Sequence, residues 1–379
     1  MAENLDPDGI IKDSTNEDTS TNSTNITENL NEKEYTDKPV TPVTEDMVIP
    51  EGISISVKDA ASFHNYIKSK KCRTILALVG SGLSASSGLQ TFRGSGGLWK
   101  NFSSIDLATP DAFVNDPGLV WQFYTYRRYK ALSAKPNNGH KSLAELSKIT
   151  NKPGKDNNGN RYKKFLTITQ NVDGLSQRAN HDEKSLIEMH GSLFTLKCTS
   201  FLCTYVEKNN YVHPLTEQLK DCEDEFEFVS KDNRNKKRFK QVKLQMAESD
   251  LPHCPECGTG LLRPGVVWFG ESLPLISIDK ADEFIIRNRV DLILVIGTSR
   301  SVWPVASYVN IVKNQGGKVA IFNTERDELE DSTVDDDDGK MNNNNDSNSS
   351  MPDCWQFIGD AATSLPFALK PLIGETFNE

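Results

Sequence analysis

The sequence predicts an α/β protein with a doubly wound, mostly parallel sheet and a smaller inserted module. Short apolar runs without alternation recur along the chain, as in strands buried on both faces. Segments with apolar residues at helical spacing separate several of these runs, which favours parallel strands joined by helices. The segment from Lys197 to about residue 260 breaks this alternation and holds five of the seven cysteines, so we expect it to form the inserted module. The expected strands are Thr74–Val79, Phe165–Thr169, Val266–Phe269, Asp291–Ile296 and Lys318–Phe322. The expected helices are Pro117–Leu132, Gly139–Ile149, Ile278–Val290 and Pro304–Lys313.

Charge is distributed unevenly over the 379 residues, whose formal net charge is −10. Residues 1–50 carry 12 Asp and Glu against 3 Lys and Arg, and residues 326–351 carry 9 against 2. We expect 1–50 to be a disordered acidic tail, because so polar a segment cannot offset the entropy of ordering. We expect 326–351 to be an acidic Asn/Asp-rich loop insertion. No apolar run approaches the ~18–20 residues of a membrane span, and the acidic N-terminus argues against a secretory signal or an ordinary mitochondrial presequence.

A glycine-rich segment, Gly80–Gly88, directly follows the first expected strand. Glycines at a strand-to-helix turn let the backbone approach a pyrophosphate. The spacing G-x-G-x5-G departs from the dinucleotide-binding pattern G-x-G-x-x-G, so on its own it is equally compatible with a tight turn. The next segment, Leu89–Trp99, adds the cation Arg93 and further glycines, as a lid over a bound anionic cofactor would require.

Polar side chains follow the second expected strand. Gln170, Asn171 and Asp173 come directly after it, where open α/β sheets bind ligands, although an ordinary Asn/Asp turn explains the same residues. His190 then stands alone between an apolar stretch and Gly191. Most such histidines are structural, but among the six in the chain His190 is the best candidate for a general base.

Four of the cysteines form two pairs with the spacing of a metal site. Cys198 and Cys203 form a C-x4-C pair, and Cys254 and Cys257 form a C-x2-C pair. Four thiolates suit a closed, tetrahedral and structural zinc site; the alternative is four free thiols. We interpret the basic stretch Lys231–Lys243 between the pairs as a solvated loop, so direct nucleic-acid binding is not expected.

Together with Leu262–Glu271, Gly297–Ser299 and Phe322–Glu325, these motifs resemble the sirtuins, in the same order and over residues 56–375. The resemblance implies a catalytic domain at 51–375, with a large Rossmann-like part and a smaller module that combines helices with the zinc site. The implied Rossmann-like segments are about 51–96, 146–195, 261–325 and 352–375. The implied small module has a helical part at about 97–145 and a zinc module at about 196–260.

Within that family, Thr91–Gly94, Asp106–Pro110 and Phe123–Arg128 resemble class III, the sirtuin-five type. Its members remove malonyl, succinyl and glutaryl groups from lysine and are weak deacetylases. Tyr124 and Arg127 stand at i and i+3 and so share a helix face. A guanidinium and a phenol side by side can hold the carboxylate of an acidic acyl chain. From the residues alone, the alternative is ordinary helix packing with Arg127 in a surface ion pair.

The resemblance also implies roles for individual residues. It makes His190 and Asn171 catalytic, and His190 would take a proton from the ribose. The implied zinc ligands are Cys198, Cys203, Cys254 and Cys257. The implied NAD-binding residues are Gly80, Ser81, Gly82, Leu83, Ser84, Gly88, Thr91, Phe92, Arg93, Trp99, Gln170, Asn171, Asp173, Gly297, Thr298, Ser299, Asn323, Thr324, Glu325 and Ala361. The implied substrate-binding residues are Tyr124, Arg127, the small Ala108, and a segment that pairs with an extended peptide by β-augmentation, Val267, Trp268, Phe269, Gly270 and Glu271.

The implied activity is NAD-dependent deacylation of protein lysines, which consumes NAD as a co-substrate and gives nicotinamide and an O-acyl-ADP-ribose. Acylated-lysine proteins are the expected partners, and no membrane association is expected. The acidic N-terminus favours cytoplasm or nucleus, while the resemblance allows mitochondria. A general NAD-dependent deacetylase is the main alternative. An NAD(H) dehydrogenase would share the glycine turn, and a non-catalytic zinc-dependent binding module would keep the cysteines.

Overall fold

The computed structural model describes residues 47–91, 97–154, 162–222, 226–231, 234–239, 246–298, 305–326 and 353–374. All of them lie in one compact unit, Val43–Glu379. The predicted tail at 1–50 lies outside the described residues except for its last four, and the predicted insertion at 326–351 lies outside them except for Arg326.

Strands and helices alternate through most of the described chain. The strands are β1 (Ile53–Ser54), β2 (Thr74–Val79), β3 (Leu98–Trp99), β4 (Phe102–Ser103), β5 (Lys164–Thr169), β6 (Leu186–Glu188), β7 (Gly191–Cys198), β8 (Val206–Glu207), β9 (Phe226–Lys231), β10 (Arg234–Phe239), β11 (Leu262–Val266), β12 (Leu292–Ile296), β13 (Lys318–Asn323) and β14 (Cys354–Gly359). The helices are α1 (Val57–Lys68), α2 (Gly82–Ala85), α3 (Ser104–Leu107), α4 (Pro110–Asn115), α5 (Pro117–Ser133), α6 (Asn138–Ile149), α7 (Leu175–Arg178), α8 (Leu275–Asn288), α9 (Val305–Asn314) and α10 (Ala361–Ile373). No helix among the described residues is long and apolar enough to cross a membrane.

A seven-stranded sheet with the order β1-β14-β13-β12-β2-β5-β6 forms the larger part of the fold. Its neighbouring strands are parallel except for the pair formed by β1 and β14. The expected doubly wound α/β fold is therefore confirmed. Four of the five expected strands and all four expected helices are present, with bounds that differ by a few residues.

The central strands are apolar throughout because both faces of the sheet are covered. In β2, Ile75 and Val79 pack in a core with α1, α6 and α10, whereas Leu76 and Leu78 pack in a second core with α8 and α9. Every residue of β12 is likewise buried. A strand that is buried on both faces has apolar residues at consecutive positions. The sequence therefore predicts these strands correctly.

The strand expected at Val266–Phe269 is wrong. The strand β11 instead ends at Val266 and pairs antiparallel with β7 in a separate three-stranded sheet of order β11-β7-β8. After it, the amide of Val267 donates to the His190 carbonyl at 2.8 Å, which extends the pairing of β11 with β7 by one bond. Val266 and Trp268 are buried in the small module, whereas Phe269 is 48% exposed. The apolar pattern alone does not distinguish this run from a strand buried in a parallel sheet.

A third core joins the helical segment around α5 to the cysteine-rich segment. Its largest side chains include Trp99, Trp121, Phe123, Phe194 and Trp268. The helix α6 instead packs on the large sheet, so the boundary expected at residue 145 cuts through this helix.

The basic stretch expected as a solvated loop forms a hairpin over part of its length. The strands β9 and β10 pair antiparallel, with Arg234 opposite Lys231 and Phe239 opposite Phe226. Aromatic and β-branched residues in Phe226–Val229 favour this strand pairing.

Candidate active site

The order in which the chain adds strands to the large sheet reverses next to β2. From β2 the chain adds β5 and β6 on one side, and later β12, β13 and β14 on the other. The crevice at the carboxyl ends of strands flanking such a switch point is where open α/β sheets bind ligands. The loops that leave β2, β5 and β12 meet here: Gly80 N–H donates to the Ile296 carbonyl at 2.8 Å, and Gln170 N–H donates to the Val79 carbonyl at 2.8 Å.

The glycines of the first turn allow main chain to contact main chain. A Cβ atom at Gly80 would lie 2.6 Å from the Gly297 carbonyl oxygen, and one at Gly82 would lie 2.6 Å from the Gly297 Cα. Gly297 itself has a φ of +56°, in the left-handed region that favours glycine. Side chains at these positions would push the turn away from β12 and widen the switch point.

A polar network centred on Ser84 fills the floor of the crevice. The Ser84 hydroxyl donates to Asp173 Oδ2 at 2.6 Å. Asn171 Nδ2 donates to the Ser84 hydroxyl at 3.1 Å and to the Gly80 carbonyl at 3.0 Å. His140 Nε2 lies 3.4 Å from the same hydroxyl. The predicted residues Ser84, Asn171 and Asp173 are thus brought together and held in fixed orientations.

His140 is a member of this network that the sequence analysis did not place in the site. The amide of Asn137 donates to His140 Nδ1 at 3.3 Å, so Nε2 carries the proton and donates to Ser84. Burial lowers the pKa of His140 to about 4, against the opposing charge of Asp173. The histidine caps the start of α6, and a capping position gives no sequence signal for a contact with Ser84, 56 residues away.

His190 lies in the turn between β6 and β7, beside this network. Its Nδ1 is 3.1 Å from the Gln170 carbonyl, which can only accept, so Nδ1 carries the proton and Nε2 is left as an acceptor. Burial lowers the pKa of His190, while the bond to Gln170 opposes this. The imidazole is therefore neutral at pH 7, as a general base must be. The next residue, Gly191, has a φ of +74°, and a Cβ there would lie 2.2 Å from the Gly265 carbonyl oxygen.

Tyr124 and Arg127 lie on α5, facing the crevice from the small module. Tyr124 is 1% exposed, and its hydroxyl accepts a hydrogen bond of 2.9 Å from Trp268 Nε1. Burial raises the pKa of Tyr124 to about 12, although the Arg127 charge acts in the opposite direction. Burial lowers the pKa of the Arg127 guanidinium, and the Tyr124 phenol and the Asp173 carboxylate oppose this. The charge of Arg127 thus interacts with the phenol and with one carboxylate of the Ser84 network.

The segment that follows β11 is fixed by its own amide groups. The N–H groups of Val267, Trp268 and Phe269 donate to the His190 carbonyl, to Glu271 Oε2 and to the Ala108 carbonyl. Ala108 is buried in the core of the small module. This segment therefore links His190, Ala108 and the Tyr124 hydroxyl in one structure.

Other predicted residues lie around the same edge of the large sheet. Thr298 Oγ1 donates to Gln170 Oε1 at 3.0 Å, and Asn323 Nδ2 donates to the Thr298 carbonyl at 3.3 Å. Ala361 is the first residue of α10. Trp99, by contrast, is packed in the core of the small module, 5.5 Å from the Phe123 ring. The remaining members of the first turn are Ser81, Leu83, Gly88 and Thr91, and those after β13 are Thr324 and Glu325. Phe92, Arg93 and Ser299 lie outside the described residues.

The four paired cysteines form one cluster, with their sulfur atoms all within 4.8 Å of one another. Cys198 and Cys257 are 3.7 Å apart, and Cys203 and Cys254 are 3.6 Å apart. Four sulfurs held tetrahedrally at about 2.3 Å from one zinc ion are about 3.8 Å apart, which matches the distances within these two pairs. A Cβ at Gly260 would lie 2.6 Å from the Cys198 sulfur. The absence of a side chain at Gly260 therefore lets the two cysteine pairs approach each other.

The Sir2 family model matches residues 80–304. The chain belongs to the Sir2 family. A relative from Candida albicans described as an NAD-dependent protein deacylase is 53% identical over 84% of this chain and 99% of its own length. A dog relative described as "NAD-dependent protein deacylase sirtuin-5, mitochondrial" is 40% identical over 67% of this Sir2 protein and 74% of its own length.

A solved structure described as a Sir2 homologue in complex with NAD matches this Sir2 protein with a TM-score of 0.56 and 30% identity, over 84% of this chain and 94% of that one. The site found here fits such a cofactor. Its glycines bring the main chains of two strand ends together, and its polar side chains converge on the switch point. The expectations of NAD dependence and of a four-cysteine zinc site are confirmed.

Proposed function

We propose that this Sir2 protein removes malonyl, succinyl or glutaryl groups from lysine side chains, and acetyl groups more slowly. Its broader activity follows from its family: the chain is an NAD-dependent protein deacylase, and it acts on acylated proteins. We also propose which acyl group the site prefers and which residues carry out the reaction.

The pairing of Tyr124 with Arg127 is the observation that carries the acidic preference. Tyr124 is buried and Arg127 is half-buried on one face of α5, and the charge of Arg127 affects the pKa of Tyr124. With a pKa of about 12 the phenol keeps its proton at pH 7, so the pair offers hydrogen-bond donors and a positive charge. A carboxylate at the end of an acyl chain accepts both bonds, whereas the methyl group of an acetyl chain accepts neither.

Asp173 interacts with both halves of the site. This carboxylate accepts from Ser84 at 2.6 Å and also acts on the charge of Arg127. Bound NAD supplies a ribose carbon that an acyl oxygen can attack, with nicotinamide as the leaving group. In this proposal Ser84, Asn171 and Asp173 hold the ribose end of the cofactor beside the acyl group recognised by Arg127. His190 Nε2 then accepts the proton of a ribose hydroxyl, because Nδ1 is committed to the Gln170 carbonyl.

The acylated lysine would enter as part of an extended peptide beside Val267–Glu271. Because the N–H groups of Val267, Trp268 and Phe269 are donated within the chain, the pairing would use carbonyl groups of this segment. The proposed catalytic domain spans 51–375. Fractionation of cells that express the full chain would test the expected cytoplasmic or nuclear location against the mitochondrial location in the dog relative's description.

Replacing Arg127 by methionine tests the acyl preference. The change keeps much of the side-chain volume and removes the charge, and a hydrogen bond to a charged group is worth about 1.5–3 kcal/mol. We expect KM for a succinyl-lysine peptide to rise roughly ten- to a hundredfold, with deacetylation of the matched acetyl peptide unchanged or faster. Lys130→Met, on the same helix, is the matched control and should leave both activities near those of the parent.

Equal losses on the two peptides would contradict the acidic preference. Arg127 would then have a structural role, and a general deacetylase would be the better description.

A further inference from the structure

Trp268 contacts Tyr124, one of the two residues proposed to recognise the acyl group, within the core of the small module. Its indole is 3% exposed, and the centre of its ring lies 6.3 Å from that of Tyr124, 144 residues away in sequence. The indole N–H points at the phenol oxygen, with a nitrogen-to-oxygen distance of 2.9 Å. This is a directed polar contact inside an otherwise apolar cluster of rings.

The direction of this bond fixes what the phenol can do. An indole nitrogen only donates, so the Tyr124 oxygen is the acceptor and its own proton must point elsewhere. Arg127, the charged neighbour of the phenol, also only donates and cannot receive that proton. Among the described residues, the bond from Trp268 is the only hydrogen bond of the Tyr124 hydroxyl, so its proton is available to an acceptor that a ligand brings in.

Two charged residues hold the indole in place. Arg263 stacks on the Trp268 ring, with its Cζ 3.4 Å from the ring centre. The guanidinium forms two hydrogen bonds with Glu271, at 2.5 and 2.9 Å. Glu271 Oε2 also accepts from the backbone N–H of Trp268 at 2.8 Å. Burial opposes ionisation of Glu271, but Arg263 and the Trp268 amide still lower the pKa of this carboxyl. The ion pair thus fixes both the ring and the main chain of Trp268.

We infer that Trp268 is a positioning residue for acyl recognition, whose indole N–H orients the Tyr124 hydroxyl so that it donates to the carboxylate of an acidic acyl group. The inference rests on the proposed acidic preference and deepens it, because it assigns part of the selectivity to a residue on the peptide-binding segment. Recognition of the acyl chain and of the peptide would then depend on the same short stretch of chain.

Replacing Trp268 by phenylalanine distinguishes the contribution of the indole N–H from that of the aromatic ring. Trp268→Phe keeps an aromatic side chain in the cluster and removes the donor. Without it, the phenol hydroxyl can rotate among several directions. We expect KM for the succinyl peptide to rise roughly two- to tenfold, the value of one neutral hydrogen bond. Trp268 also lies on the peptide-binding segment, so any loss of peptide binding is shared by the two peptides. The readout is therefore the ratio of the succinyl KM to the acetyl KM, which should rise by the same factor.

A double-mutant cycle with Tyr124→Phe distinguishes positioning from packing. If Trp268 acts through the Tyr124 hydroxyl, Trp268→Phe should change the succinyl-to-acetyl KM ratio in the parent and leave that ratio unchanged where Tyr124 is already phenylalanine. An equal loss on both peptides, or the same loss in both backgrounds, would overturn the inference and leave Trp268 a packing role.

The same set of variants separates this inference from the proposed function. If Tyr124→Phe and Arg127→Met reduce succinyl selectivity but Trp268→Phe does not, only the inference fails. If none of the three changes the selectivity, the acidic preference itself is wrong, and the inference fails with it.

Discussion

The large sheet and the small module are stabilised in different ways. The sheet is formed by consecutive apolar residues, as in β12, where all five are buried. The core of the small module instead joins residues that are far apart in sequence through a few directed bonds. Trp121 Nε1 donates to the Leu262 carbonyl at 2.9 Å across 141 residues, and Trp268 reaches Tyr124 across 144. The sheet is therefore held by many apolar contacts, whereas the module also relies on single directed hydrogen bonds.

Arg128 illustrates this dependence. It is fully buried on α5 and donates to the carbonyl groups of Leu193, Asn210 and Val212. These bonds attach the cysteine-rich segment to the helix that carries Tyr124 and Arg127. Tyr124 and Arg127 are thus positioned by the small module, while the Ser84 network is positioned by the large sheet.

Loss of the metal should give the largest difference between the two regions, because it should unfold the small module and leave the large sheet folded. Cys254→Ala should reduce the zinc content from about one ion per chain to almost none, because metal binding supplies much of the folding free energy of such a module. Activity should be lost, and limited proteolysis should cut within residues 196–260 before it cuts the large sheet. Elemental analysis and mass spectrometry of the fragments measure both effects.

Cys354→Ala, which removes a cysteine of the large sheet, is the control and should keep its zinc. Full zinc content and activity in Cys254→Ala would contradict the proposed ligand set.

The next largest effect is expected at the edge of the large sheet. His190→Ala should reduce kcat by roughly 10²–10⁴, the usual contribution of a positioned general base, with melting temperature and NAD affinity close to those of the parent. Nicotinamide release measures the rate. His64→Ala on α1 is the matched control. Activity of His190→Ala within about threefold of the parent would remove this residue from the mechanism.

Sequence reasoning was most successful where the signal is local. The strand β2 and the turn after it are adjacent in sequence, and burial on both faces of the sheet gives β2 a continuous apolar run. The two cysteine pairs were found because ligand spacing is itself local, although they lie on either side of the β9–β10 hairpin.

Contacts across the fold were not predictable in the same way. His140 reaches Ser84 because α6 packs against the first turn, and nothing in the sequence near His140 indicates this. The run Val266–Phe269 was assigned to the wrong sheet because an apolar stretch reports burial and not the identity of its neighbours.

A smaller effect is expected from the buried histidine of the Ser84 network. The pKa of His140 falls from 6.5 to about 4 on folding, so the unfolded chain binds the proton more readily. This histidine therefore stabilises the fold above pH 6.5, and the stabilisation is lost as the pH falls toward 4. At 1.36 kcal/mol per pKa unit, its share of the loss between pH 7 and about 4.5 is ~2–3 kcal/mol.

Urea unfolding at the two pH values should show this loss in the parent. His140→Gln, which cannot titrate, should show a loss that is smaller by about 2 kcal/mol. The same pH dependence in parent and variant would show that another group is responsible.

The central claim is that this Sir2 protein selects acyl groups by their carboxylate. The most direct test compares kcat/KM of the full-length parent enzyme on one peptide carrying acetyl, malonyl, succinyl or glutaryl lysine, with saturating NAD and detection of the products by mass. We predict that at least one acidic acyl peptide is processed roughly ten- to a hundredfold more efficiently than the acetyl peptide, as expected for a charge-assisted contact of about 1.5–3 kcal/mol. Acetyl removal as fast as removal of each acidic group would contradict the claim.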